Sequence, residues 1–142
     1  MVTVLNLPTF LEIPKFPSIS VGLIFLVSGF FILMSTFKCL KVSRAFGKEI
    51  YGARKESKLI TTGIYSQTRN PLYLGSTIMF FGWFLITSAT FLFIMTLFFT
   101  TLFYFVAKWE EKELIKRFGK EYEIYRKSVP SFIPRIRTLR RE

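Results

Sequence analysis

The sequence predicts an all-α integral membrane protein with about three transmembrane helices, at residues 18–40, 72–87 and 90–109. The last two form a hairpin, followed by a cytoplasmic helical tail. Two observations carry this reading. Residues 16–37 and 71–107 contain no charged side chain. An apolar run of roughly 18 residues or more reads as a membrane span, and the second run is long enough for two. The charges are also segregated. Of 20 Lys and Arg, eight fall in 38–69 and eleven in 108–142, with Lys15 the remaining one. Basic residues collect on the cytoplasmic side of a membrane, so both blocks are expected there and the N-terminus outside. A helix buried in a soluble core would keep a polar face over such a length.

Composition narrows the function. The net charge of +11 lies beside the spans, so the expected partners are membrane lipids with anionic headgroups, not nucleic acid. There is one cysteine, Cys39, and no histidine. No intrachain disulfide, no metal site built on His or Cys clusters and no imidazole-dependent triad is expected.

The elements follow in order. Residues 1–17 hold Pro8, Pro14 and Pro17, which oppose a continuous helix, among several large apolar residues. They are expected to lie at the membrane interface. Lacking a positive n-region and a small-residue cleavage site, they do not read as a signal peptide. In the first span Gly22 and Gly29, seven residues apart, share a face that another helix could approach closely. Self-association of the chain through that face is one expectation. Residues 41–71 read as a basic connection with turn chemistry. Pro71 suits a first helical position, so the second span starts there. "TSAT" at 87–90 reads as the tight turn of the hairpin, its hydroxyls able to cap the next helix. The third helix is expected to run on past the membrane with i,i+4 charge pairs such as Glu113 and Arg117, and to break at Gly119. Pro130 and Pro134 end the helical tail. Trp109, Tyr122 and Tyr125 suit an interfacial aromatic belt.

The hairpin brings two distant stretches to one membrane face. "TTGIYSQTRNPLYLG" at 61–75 supplies Arg69, Asn70 and several aromatic or glycine positions. The end of the third span supplies Glu110 and Glu111, with Arg117 seven residues beyond Glu110 on the same helix face. Ionisable residues at a membrane edge are costly unless paired or functional. The bland alternative is a first solvated turn of glutamates and a snorkelling arginine.

"TTGIYSQTRNPLYLG", followed about 35 residues later by "EEKELIKRFGKEYEIYRKSVPSFIP", resembles the C-terminal half of the isoprenylcysteine carboxyl methyltransferase and phospholipid N-methyltransferase superfamily of integral membrane enzymes. The resemblance covers roughly residues 58–135 of a single membrane domain. It implies an S-adenosylmethionine-dependent methyltransferase with a cofactor-binding region between the last two spans and the tail. Arg69 would grip the cofactor carboxylate, with Asn70, Pro71 and Tyr73 beside it. Glu110 or Glu111 would accept from its amino group or ribose. Tyr65, Leu74 or Ile133 would line an adenine slot, and Gly63 and Gly75 would allow close backbone approach. Catalytic roles would fall to Glu110, Glu111 and Arg117. The family pattern Arg-His-Pro-x-Tyr reads Arg69-Asn70-Pro71-Leu72-Tyr73 here. Asn70 can replace a hydrogen-bond donor but not a base. The acceptor implied is lipophilic or amphiphilic, an isoprenylcysteine-type carboxylate or a phospholipid amine. Two alternatives stay open: a nicotinamide-dependent membrane reductase, although Ser76 stands after Gly75 where those families carry an acidic residue, and a non-catalytic membrane scaffold.

Overall fold

A computed structural model describes residues 15–50 and 59–134, the side chains of 42–50 excepted. The expected interfacial segment therefore lies outside the described residues as far as residue 14. Every regular element described is helical: α1 (Lys15–Ile50), a short 3₁₀ turn (Gly63–Ser66), α2 (Pro71–Thr87), α3 (Thr90–Phe118) and α4 (Lys120–Ser128). The apolar helices of the sequence reading are present, but α1 is longer at both ends. It begins at Lys15 and takes in Pro17, because a proline within the first turn removes an N–H that has no intrahelical partner. It continues to Ile50, through part of what reads as a connection in the sequence.

Two of the described helices are long and apolar enough to cross a membrane, one within Lys15–Lys41 and one in Thr90–Phe118. Helix α2, with 17 residues, is shorter. The outer faces of α1 and α3 expose large apolar side chains, among them Val27, Phe31, Phe98 and Phe105. Such a surface is suited to lipid and unsuited to water. Among the described residues all regular structure is helical, with the apolar outer surface of a membrane-associated protein.

Helix α2 packs chiefly on α1 and less extensively on α3, its partner in the expected hairpin. Glycine explains the difference. Gly22 faces Gly82, and Gly29 faces Gly75, so α1 and α2 run antiparallel along a seam where the two backbones approach closely. A Cβ on either Gly22 or Gly82 would lie 2.9 Å from the carbonyl oxygen of the other. The close-approach face of α1 is thus occupied within the chain. Rings set the α2–α3 spacing instead: Tyr73 on Phe103, Phe80 on Phe99 and Phe84 on Phe93, with centroids 5.2, 5.3 and 5.0 Å apart.

The turn falls at 88–89 as expected, but no hydroxyl-bearing residue occupies the N-cap position of α3. Ala89 is the N-cap residue, with no side-chain cap, and Ser88 ends α2 in the left-handed region at φ 54°. Gly119 separates α3 from α4 at φ 55°, ψ −126°, a conformation open mainly to glycine. Past this corner α4 folds back so that Tyr122, Tyr125 and Val129 form a small core against Leu59, Leu114, Ile115 and Phe118.

Candidate functional site

The segment before α2 and the tail after α4 are laced together. The Arg69 N–H donates to the Pro130 carbonyl at 3.0 Å and the Asn70 N–H to the Ser131 carbonyl at 3.2 Å. Thr68 Oγ1, fully buried, donates to the Ser131 carbonyl at 3.0 Å. The Asn70 amide nitrogen donates to Ser131 Oγ at 2.9 Å and to its carbonyl at 3.2 Å. Position 70 therefore acts as a hydrogen-bond donor in the scaffold, a task an amide performs as well as an imidazole.

An ion pair closes this clasp. Arg69 Nη1 lies 2.9 Å from Glu111 Oε1, and the two side chains are only 7% and 5% exposed. The same carboxylate oxygen accepts from Ser131 Oγ at 3.1 Å, and Lys108 Nζ stands 3.6 Å from the other. Tyr122 Oη is at the edge of hydrogen-bonding range of Arg69 Nη1, at 3.5 Å. Arg69 Nε is buried with no partner. A second tie runs from the Tyr125 hydroxyl to the Tyr65 carbonyl, at 2.6 Å. The loop, the end of α3 and the tail are thus one polar unit, and its charges are compensated within it.

Beside the clasp is a cavity of about 350 Å³, within the range of small-molecule pockets. Tyr65, Arg69, Asn70, Tyr73, Glu110 and Arg117 supply its polar side chains. Leu59, Ile60, Pro71, Leu72, Leu114 and Phe118 supply the apolar ones, and Tyr122 and Tyr125 complete the wall. Glu110 is held across the α2–α3 mouth by the Tyr73 hydroxyl, which donates to Glu110 Oε1 at 2.8 Å. Burial raises the pKa of Tyr65, with Cys39 and Glu110 adding to it. Burial also raises those of Tyr122 and Tyr125. All three hydroxyls are neutral donors near pH 7.

Most of the residues expected from the sequence meet here, but not all. Tyr65, Arg69, Asn70, Pro71, Tyr73, Glu110 and Arg117 line the cavity; Gly63, Leu74, Gly75, Glu111 and Ile133 do not. Gly63, at φ 63°, faces Cys39 of α1, and Gly75 faces Ile32 and Leu33, so both serve packing. Glu111 stands behind Arg69, and Ile133 lines a second cavity. The expected Glu113–Arg117 pair does not form: Glu113 pairs with Lys116 at 2.8 Å, while Arg117 lies near the Phe118 ring and along the cavity. Tyr122 and Tyr125 are not an exposed belt. They are 1% and 7% exposed, turned inward by the Gly119 corner. Their i,i+3 spacing in α4 was the available signal. Leu114 and Phe118 share a similar spacing near the end of α3. No group of three or more His, Cys, Asp or Glu that could hold a metal occurs among the described residues.

The fold and site define a small helical membrane protein with a polar clasp beside a half-apolar cavity. The chain belongs to the phospholipid methyltransferase family, whose model matches residues 17–121. It is 33% identical to the protein-S-isoprenylcysteine O-methyltransferase of Schizosaccharomyces pombe over 140 residues, covering 86% of this chain and 56% of that protein. It is 40% identical over 62 residues to the phosphatidylethanolamine N-methyltransferase of Mus musculus, covering 44% of this chain and 31% of the relative. It is 38% identical over 80 residues to a methanethiol S-methyltransferase of Crocosphaera subtropica, covering 56% and 30%. The chain spans about half the length of the first relative and under a third of the other two. No solved structure matches it. The family match begins within α1, upstream of the stretch on which the sequence resemblance rests. Nothing in these comparisons favours a nicotinamide-dependent reductase.

Proposed function

We propose that the chain is an S-adenosylmethionine-dependent methyltransferase acting on a lipophilic or amphiphilic acceptor. Its α2 would be a third membrane span, the N-terminus would lie outside and the site would be on the cytoplasmic face. The observation that carries this reading is the cavity itself, where a carboxylate, two guanidinium groups and an aromatic wall meet at the mouth of the apolar hairpin. That donor set fits the cofactor's chemistry. Glu110 can accept from an ammonium or ribose hydroxyl, Arg117, or Arg69 through the Nε that its pair with Glu111 leaves free, can attract a carboxylate, and Tyr65, Phe118 and Tyr122 offer aromatic surface.

S-adenosylmethionine, when bound, supplies an electrophilic sulfonium methyl group. The chain's own residues position and shield. Leu59, Leu114 and Phe118 line the apolar side of the cavity and would displace water from a bound cofactor. The clasp holds the loop and the tail in fixed register, which preserves alignment of reacting groups. Glu110 is the carboxylate available for proton transfer, because Glu111 is committed to Arg69. Tyr73 holds Glu110 Oε1, leaving Oε2 to take a proton from an amine acceptor. A carboxylate or thiolate acceptor would need no base, and Glu110 would then serve only in binding.

The test is transfer of tritiated methyl from S-adenosylmethionine to defined acceptors by the protein reconstituted in vesicles. The acceptors are phosphatidylethanolamine, farnesylcysteine and a short alkyl thiol. Label in any organic-soluble product, lost in Glu110→Gln or Arg117→Gln protein, supports the proposal. Folded protein that labels none of them argues against it.

A further inference from the structure

A second cavity, of about 390 Å³, lies on the tail side of Arg69. Arg69, Arg126, Lys127 and Ser128 line it with Val129, Pro130, Ile133 and Pro134, and none of these is acidic. Arg126 and Lys127 are exposed and in the last turn of α4. No ion pair holds either of them among the described residues. Their ordinary role is to offset the partial negative charge of a helix C-terminus. Two facts go beyond that role. Arg69 belongs to a different element and still lines the same cavity, and its buried Nε has no partner. The carboxylate nearest Arg69, Glu111, is held at Nη1 and by Lys108 and Ser131, and does not line the cavity. A site with two cations free of ion pairs, the unpartnered Nε of a third, a hydroxyl and no lining carboxylate suits an anion with several acceptor oxygens.

We propose that this second cavity is a phosphate-binding site, taking a phosphate monoester or diester between Arg69, Arg126 and Lys127. It differs from the methyl-transfer reading in needing none of Glu110, Tyr73 or Arg117; Arg69 is the one residue that lines both cavities. The phosphate could come from a lipid headgroup or from solution, and the two sources are separable.

The test uses the full chain in neutral detergent, titrated calorimetrically with dihexanoyl phosphatidic acid and, separately, with inorganic phosphate. The protein is compared with the Arg126→Gln/Lys127→Gln variant and with a Lys112→Gln/Lys120→Gln variant of equal charge. The expected result is saturable binding weakened about tenfold or more in the first variant and unchanged in the second. Binding of the lipid alone assigns the site to a headgroup, and binding of both assigns it to phosphate as such. Arg126 and Lys127 are exposed, so thermal unfolding of that variant should match the parent. Absence of binding by either probe, or equal loss in both variants, overturns the proposal. Neither outcome depends on S-adenosylmethionine.

Discussion

Arg69 and Glu111 are joined by a 2.9 Å contact between side chains that are almost wholly buried, 42 positions apart in the chain. This pair fixes the end of α3 to the segment that starts α2. Removing one partner leaves an uncompensated buried charge, which costs about 3–5 kcal/mol. Glu111→Ala is therefore expected to lower the thermal unfolding midpoint in detergent sharply, and Arg69→Ala to do the same. Any loss of activity in either variant would then reflect a damaged scaffold. An unchanged midpoint would mean that the pair does not hold the clasp.

The glycine seam predicts a graded response. A Cβ on Gly82 would meet a backbone carbonyl at 2.9 Å, whereas on Gly75 it would meet the side chains of Ile32 and Leu33 at 3.1 Å. Side chains can shift and the backbone cannot do so cheaply. Gly82→Ala is expected to cost about 1–3 kcal/mol and Gly75→Ala less. Unfolding midpoints of the two variants check the order.

Alkaline pH should loosen the tail. Folded-state pKa values of Tyr65, Tyr122 and Tyr125 lie above the ordinary value, chiefly through burial. Below about pH 10 these groups are protonated in both folded and unfolded chains, and their contribution is intact. Above it the unfolded chain loses protons first, so stability falls as pH rises. Unfolding midpoints should be flat from neutral to about pH 9 and decline beyond it. Tyr125→Phe leaves the Tyr65 carbonyl without its donor, costs about 1–3 kcal/mol at neutral pH and makes the alkaline decline shallower.

Tyr73 and Glu110 should separate binding from chemistry. Tyr73→Phe removes the hydroxyl that holds Glu110 Oε1 at 2.8 Å but keeps the ring stacked on Phe103. For an amine acceptor, kcat is expected to fall about tenfold or more with little change in stability. An unchanged kcat would place Tyr73 in packing alone.

The apolar helices were legible because their signal is local. Long uncharged runs, Pro71 at a helix start and Gly119 at a break all act within a few residues of themselves. The register of α1 on α2 was half legible: Gly22 and Gly29 marked a close-packed face, but only the fold supplies Gly82 and Gly75 as its partners. The site divided in the same way. Arg69, Glu110 and Arg117 were readable as neighbours from the hairpin, and Tyr73 from the family resemblance; all four line the first cavity. The choice between the adjacent Glu110 and Glu111 was not readable, because one helical step sends one carboxylate into the clasp and the other to the cavity. Tyr122 and Tyr125 read as surface aromatics because their burial depends on the angle at Gly119, which sequence alone does not set.

Occupation of the first cavity by S-adenosylmethionine is the proposal on which the rest depends. Its most direct test is calorimetric binding of S-adenosylhomocysteine to the purified protein, beside Glu110→Gln and Arg117→Gln variants shown to unfold at the parent midpoint. Saturable binding in the micromolar range is expected, weakened about tenfold or more in the Glu110 variant. Folded parent protein that binds no S-adenosylhomocysteine, or a Glu110 variant that binds it equally well, would contradict the account.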